Sequence, residues 1–288
     1  MSYSSAVDRV WRTSRRLIPV NRPLVMGILN VTPDSFSDGG KFAAIDQALR
    51  RTEEMITEGA DIVDVGGEST RPGAKQLSAE EEAARVVPVI TALTSQFGVP
   101  VSVDTTKSEV ARAAVDAGAE IINDISGLRW DAHVADIAAE SGAALILMHS
   151  RGEFDTMHSQ EPVGDILAEV SEGLRSSLAI ALEAGVDSAQ LALDIGIGFG
   201  KTLEQNLELI AKLAKIVPEF ERYPLVVGTS RKSFIGKVMG NSEPSDRLGA
   251  SLATALMALG NGAHIVRVHD VKETVAACKM FSAVSQLK

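Results

Sequence analysis

The chain has 288 residues, 45% of them apolar, with 24 Gly and a formal net charge of −10. This fits one large or two medium globular α/β domains and excludes a disordered chain. The negative balance argues against a nucleic-acid-binding or membrane surface, and it makes any local gathering of Arg and Lys more informative. No apolar run approaches the roughly 18 residues a membrane span needs. The first sixteen residues lack the apolar core of a signal peptide, so a cytoplasmic location is expected. The single cysteine, Cys278, excludes an internal disulfide and a Cys-rich metal site, and reads as a small hydrophobe on the last helix.

Residues 1–22 precede the first repeat and are expected to form an N-terminal extension covering one end of the fold. Trp11, Leu17, Ile18 and Val20 would supply the cover, and Arg12, Arg15 and Arg16 a solvated face. From residue 23 to 288, short apolar runs alternate with amphipathic segments. Strands are expected at 24–29, 61–65, 99–103, 121–123, 144–148, 190–193, 225–227 and 265–268. Helices are expected near 45–58, 79–97, 107–117, 132–141, 163–184, 203–217, 245–259 and 271–285. Ser78 with Glu81 forms a capping box ahead of the second helix. Gly59, Gly98, Gly118, Gly142, Gly185 and Gly260 fall where helices should stop. Eight strands and eight helices in strict alternation read as a TIM (β/α)8 barrel. A doubly wound open sheet is the second choice. It gathers its chemistry at one switch point, whereas here polar residues follow almost every strand.

Active sites of such barrels lie at the C-terminal ends of the strands. In order, those ends carry Asn30; the stretch from Asp64 to Gly73; Asp104-Thr105; Asn123-Asp124; Met148-His149; the stretch from Asp194 to Lys201; Gly228 to Ser233; and Arg267-Val268-His269-Asp270. Arg71, Arg231, Lys232, Arg267 and His269 would then face one mouth and suit a phosphate or other polyanion. Asp104, Asn123 and Asp194 suit a neutral planar heterocycle with adjacent N–H donors and a carbonyl. Asn30 suits Mg²⁺, which keeps most of its waters and takes phosphate oxygens. Met148 and Phe199 can flank flat rings.

Bland readings compete with these. A lone Asp after a strand is a helix cap in about half of cases. Gly200-Lys201-Thr202 lacks the earlier Gly of a P-loop, since position 195 is Ile. The glycines at 196, 198 and 200 miss the dinucleotide-binding spacing. His133, His149 and His158 lack zinc-ligand spacing and read as solvated or hydrogen-bonded, and His264 belongs to the wrong end of its strand. Asp34 reads as a turn former.

Five motifs occur in order: Met26-Gly27-Ile28-Leu29-Asn30-Val31-Thr32-Pro33-Asp34-Ser35-Phe36-Ser37-Asp38-Gly39-Gly40, Gly67-Glu68-Ser69-Thr70-Arg71-Pro72-Gly73, Asn123-Asp124-Ile125, Gly228-Thr229-Ser230-Arg231-Lys232-Ser233 and Arg267-Val268-His269-Asp270. Together they resemble dihydropteroate synthase, from about residue 24 to the C-terminus. The resemblance implies a pterin-binding TIM barrel at 23–288 that joins p-aminobenzoate to 6-hydroxymethyl-7,8-dihydropterin pyrophosphate, a step of folate biosynthesis and the target of sulfonamides. It implies that Asp104, Asn123, Asp194 and Lys232 hold the pterin edge, with Met148 and Arg267 on its faces. Thr70, Arg267 and His269 would meet the pyrophosphate, and Asn30 the Mg²⁺. The p-aminobenzoate would lie against Phe199 and Pro72, its carboxylate near Ser233. Arg71, Arg267 and His269 would stabilise the departing pyrophosphate and Asp38 the cation left on the pterin methylene, in a dissociative substitution. The loops carrying Phe36, Asp38 and Ser69-Thr70-Arg71 would order over substrate. A homodimer through late helices is implied as well. Ile195 replaces the Pro usual in the family, and the loop 151–161 matches no motif. A pterin-dependent methyltransferase or a catalytically silent pterin-binding paralogue are the other readings. The first would not need the Ser-Thr-Arg-Pro and Ser-Arg-Lys-Ser loops that this chain keeps, and the second would be expected to lose residues such as Asp38 or Arg71, both present here.

Overall fold

The structure is a computed structural model and describes residues 9–31, 40–71 and 73–287, with side chains of the first helix from residue 45 onward. Eight strands close into a parallel barrel: β3 (Leu24–Asn30), β4 (Ile62–Gly66), β5 (Val101–Asp104), β6 (Ile121–Asp124), β7 (Ala144–Met148), β8 (Leu191–Asp194), β9 (Leu225–Val227) and β10 (Ile265–Val268), with β10 pairing both β9 and β3. Their outward side chains, such as Val63, Val65, Val103, Leu145, Leu193 and Val266, pack under the helices in the main core. Their inward side chains form a second core of Leu24, Met26, Ile62, Ile121, Ile146, Ala192, Val226 and Ile265. Burial on both faces is why these runs are continuous and apolar rather than alternating.

The helices are α1 (Gly40–Glu58), α2 (Ala79–Gln96), α3 (Ser108–Asp116), α4 (His133–Ser141), α5 (Ile166–Glu183), α6 (Leu203–Lys212), α7 (Ser233–Val238), α8 (Leu248–Gly260) and α9 (Val271–Ser285). Strict alternation therefore fails once: the short α7 intervenes between β9 and α8. The Ser78–Glu81 box opens α2 as the spacing predicts. Gly59, Gly118, Gly142 and Gly185 adopt the left-handed backbone that ends a helix, but Gly98 and Gly260 do not. Phe97 closes α2 in extended geometry, and α8 runs through Gly260 to a left-handed Gly262.

At the N-terminal end of the barrel, β1 (Val10–Arg12) and β2 (Leu17–Pro19) form an antiparallel hairpin. Trp11 and Ile18 join the inward core, and the Trp11 indole donates to the Gln190 carbonyl at 2.8 Å. Arg15 is exposed as expected, but Arg12 and Arg16 are tethers rather than a solvated face. Arg16 clamps the buried Glu120 (2.5 and 2.9 Å), and Arg12 reaches Gln190 and Asp187. Their partners come from the strand-entry loops, which the sequence spacing does not reveal. Among the described residues no helix is long and apolar enough to cross a membrane.

Candidate active site

Side chains on one face of a strand recur every second residue. Two residues beyond an inward apolar side chain, the same face turns polar on four strands: Ile62 leads to Asp64, Ile121 to Asn123, Ala192 to Asp194 and Ile265 to Arg267. Ser102 leads to Asp104, and Ile146 to Met148. Register then sets the neighbours. Asp104 lies beside Asn123, Met148 beside Asp194, and Gly66 between Asn30 and Asp104. The barrel interior is thus apolar below and ionic at its mouth.

Arg267 is the hub. Its Nε donates to Asp64 Oδ2 at 2.6 Å and its Nη2 to Asp104 Oδ2 at 2.7 Å, with the side chain 20% exposed. The Asn123 amide donates to the same Asp64 oxygen at 3.1 Å. Burial opposes the Arg267 charge, but Asp64 and Asp104 hold its pKa above the ordinary arginine value. Burial pushes Asp104 up to about 7, with Arg267 pulling it down. Burial likewise raises Asp194, against Lys232 and a 2.7 Å hydrogen bond from the Gly196 amide. Lys232 is lowered to about 8 by burial, with Asp194 opposing. Its Nζ donates to the Ile197 carbonyl at 2.5 Å and sits 4.7 Å from the centre of the Phe199 ring. Carboxyls, an amide, a lysine and an aromatic platform therefore share one cleft.

Beyond the strand ends lie His269, Arg231 and Arg71. His269 pairs with the Ser230 hydroxyl at 3.1 Å through Nδ1. Burial, then the charges of Arg267 and Arg231, lower its pKa to about 4, and Arg71 adds to the same effect. Arg231 is already committed, clamped on Asp270 through Nε at 3.0 Å and through Nη2. It orients the rim instead of offering a free fork. Thr70 is tied through its carbonyl to His158 at 2.7 Å, and the exposed Ser233 opens α7. Asp34, Phe36, Asp38 and Pro72 lie outside the described residues. Asn30 ends β3, with its Oδ1 beside Gly66. Among the described residues no three His, Cys, Asp or Glu converge to hold a metal. A lone amide oxygen fits a Mg²⁺ that keeps its waters and takes phosphate oxygens, not one caged by protein.

The sequence places Asp64 at the start of the stretch that ends the second strand but gives it no role; it lies inside β4, faces the cleft and is fully buried. Counting back from Gly66 in steps of two would have found it. Asp124, by contrast, is turned away: its carboxylate accepts the Ser126 and Leu128 amides, each at 2.7 Å, and shapes its own loop. His149 is neither solvated nor fully hydrogen-bonded. It is buried against Gly173, and its Nδ1 has no partner.

A family described as pterin binding enzymes matches residues 26–269. The Escherichia coli (strain K12) dihydropteroate synthase is 48% identical over 273 residues, spanning 94% of this chain and 95% of that protein. A Yersinia pestis dihydropteroate synthase solved with a sulfonamide drug superposes with a TM-score of 0.89 at 42% identity, over 96% of this chain and 99% of that one. A Burkholderia cenocepacia dihydropteroate synthase complexed with 7,8-dihydropteroate gives 0.88 at 42% identity, over 98% and 99%. With the barrel, the ionic cleft and its aromatic platform in place, the chain belongs to the dihydropteroate synthase family.

Proposed function

We propose that this chain condenses 6-hydroxymethyl-7,8-dihydropterin pyrophosphate with p-aminobenzoate, giving 7,8-dihydropteroate and pyrophosphate. The observation that carries the reading is the Asp64–Arg267–Asp104 bridge with Asn123 beside it and the Asp194–Lys232 pair across the cleft. Carboxyls accept the adjacent N–H donors of a pterin edge. Asn123 and Lys232 donate to its ring nitrogen and carbonyl, and Arg267 and Met148 flank its faces.

The pyrophosphate then meets Arg71, Thr70, Arg267 and His269 at the rim. The bond between the pterin methylene carbon and the diphosphate oxygen breaks, and its electron pair leaves with the diphosphate. Cationic side chains aimed at that oxygen lower the barrier, because the charge they meet grows in the transition state. Mg²⁺ held at Asn30 would supply further neutralisation of the diphosphate. The methylene cation is delocalised into the ring, and Asp38 is assigned to stabilise it. The aniline nitrogen of p-aminobenzoate, lying on Phe199 with its carboxylate toward Ser233, adds its lone pair and loses a proton. An aromatic amine is uncharged at neutral pH, so no strong base is needed. The absence of a nucleophile–base pair from the proposed residues fits this. Sulfonamides, which mimic p-aminobenzoate, would compete on Phe199. We further assign a cytoplasmic homodimer, with the exposed Met257 of α8 and Met280 and Val284 of α9 as its apolar face.

The test is pyrophosphate release by purified protein supplied with both substrates and Mg²⁺. Turnover that depends on p-aminobenzoate and is blocked by a sulfonamide is expected. Folded protein that releases no pyrophosphate defeats the reading.

A further inference from the structure

Between β8 and α6 the loop 195–200 is held at nearly every peptide group by a buried or half-buried side chain. Asp194 accepts the Gly196 amide at 2.7 Å, and Asn206 accepts the Gly198 amide at 2.6 Å. Lys232 donates to the Ile197 carbonyl at 2.5 Å, and Arg151 donates to the Gly200 carbonyl at 2.9 Å. Two further loop carbonyls converge on one lysine. Lys201 Nζ donates to Gly196 at 2.8 Å, to Phe199 at 3.1 Å and, across the barrel rim, to the His149 carbonyl that follows β7 at 3.1 Å. Three donors meet three acceptors, which is the full capacity of an ammonium group.

The loop has little slack. Gly196, Gly198 and Gly200 all have positive φ. A Cβ on Gly196 would overlap the His149 carbonyl, and one on Gly200 would meet Arg151 at 2.5 Å. Lys201 therefore sits where two strand ends are pressed together. Its hydrogen bonds reach the carbonyl of Phe199 and, two residues along the chain, flank the carbonyl on which Lys232 rests.

We propose that Lys201 is a positioning residue for the p-aminobenzoate half of the site: its ammonium group fixes the height of the Phe199 ring, without itself touching substrate. This rests on the reading of Phe199 as the p-aminobenzoate platform. Of the groups assigned to the pterin edge, Asp64, Asp104, Asn123 and Arg267 lie on strands that Lys201 does not bind, and Asp194 and Lys232 keep their own hydrogen bonds to the Gly196 amide and the Ile197 carbonyl. A general scaffolding role would damage both halves together. A positioning role separates them.

Lys201→Met removes the donors and keeps the length of the side chain. With folding checked by circular dichroism and melting, the KM for p-aminobenzoate is expected to rise about tenfold or more, because misplacing a platform is costly to orientation. The dissociation constant for the pterin substrate should stay within about threefold. Equal increases in both constants, or no change in either, overturn the proposal. If the Met variant does not fold, Lys201→Gln, which retains two donors, is judged by the same split. Hydrogen exchange supplies an arm independent of catalysis: Lys201→Met should speed exchange at the Gly198 amide while the β5 and β6 amides keep their protection. Unchanged exchange at Gly198 overturns the positioning role. Wild-type protein without turnover defeats the synthase reading instead, and leaves the exchange result to decide on Lys201.

Discussion

Replacing Asp64 by Asn keeps its shape and removes its charge, which isolates what the carboxylate does for Arg267. In the wild type Asp64 is fully buried, accepts from both Arg267 and Asn123, and leaves Oδ1 unpartnered. Asp64→Asn would face the Arg267 fork with an amide that can turn a donor toward it. Loss of one charged hydrogen bond in a buried site costs about 1.5–3 kcal/mol, so pterin affinity should fall by about tenfold or more, measured by calorimetry. An affinity within twofold of wild type would remove Asp64 from the site. Lys232 sets a pH limit. Its pKa is lowered to about 8, so its ammonium is present below that value and lost above it. kcat/KM should fall as pH rises through about 8, and Lys232→Arg should shift that fall to higher pH. His269 responds in the opposite sense. Its pKa of about 4 leaves the imidazole neutral at pH 7 in the empty site. A bound diphosphate adds negative charge beside it and raises the pKa, so binding should take up a proton at pH 6. Calorimetry in buffers of different ionisation enthalpy measures that uptake, and His269→Gln should abolish it.

The elements that carry these residues differ in how firmly they are held. The loop 195–200 is pinned from within, as the Lys201 network describes. The 67–73 loop is held at its roots: Lys107 bridges Glu68 at 3.1 Å and the buried Glu82, and Glu68 Oε1 also accepts the Leu77 amide at 2.5 Å. Arg71 beyond that root is exposed. Asp38, which falls between β3 and α1 in sequence and outside the described residues, is assigned a transition-state role. Asp38→Ala should therefore lower kcat by about tenfold or more while pterin affinity changes little, because its partner charge exists only after the diphosphate begins to leave. Equal losses in kcat and affinity would make it a ground-state contact. Much of this element layout was legible in the sequence. Continuous apolar runs with Gly stops mark buried parallel strands and helix ends, and Ser78 with Glu81 marks a helix start. The hairpin around Trp11 was not legible as strands, since each arm is three residues long and makes sense only against the barrel floor. Helix α7 was absorbed into the connection after β9, because six residues carry no helical period. Asp104 and Asn123 stood out because they end strands. Asp64 was legible as part of a strand-end stretch but not as a partner of Arg267, because it lies within its strand, and Lys201 stayed hidden because a half-buried lysine on three carbonyls looks in sequence like any solvated one.

At the scale of the whole molecule, the closed barrel separates stability from chemistry, with the Trp11 hairpin sealing one end and the ionic cleft opening at the other. The separation is incomplete for protons. Burial lowers His149 to about 2 and His264 to about 3, so the fold carries both as neutral imidazoles. A histidine whose folded pKa lies below its unfolded value of about 6.5 stabilises the fold above 6.5 and loses that contribution as pH falls. Asp104, raised to about 7, and Asp124, raised to about 6, run the other way: their burial costs least below their unfolded values near 4 and most above the folded ones. Net acid stability is therefore a contest between buried imidazoles and buried carboxyls, and a single variant separates the two sides. His149→Gln removes one imidazole from a site where its Nδ1 has no partner and its pKa owes most to burial, then to Lys201 and Arg129. At pH 7 the variant should be less stable than wild type, because a packed ring is lost beside Gly173. Between pH 6.5 and 4.5 only the wild type must carry the growing cost of excluding a proton from that ring, about 2–3 kcal/mol over two pH units. Urea unfolding at pH 7 and 4.5 should therefore show the stability gap between the two proteins closing by about that amount. A gap that stays constant would mean that His149 takes up its proton while the barrel remains folded, by opening the seam between β7 and α5.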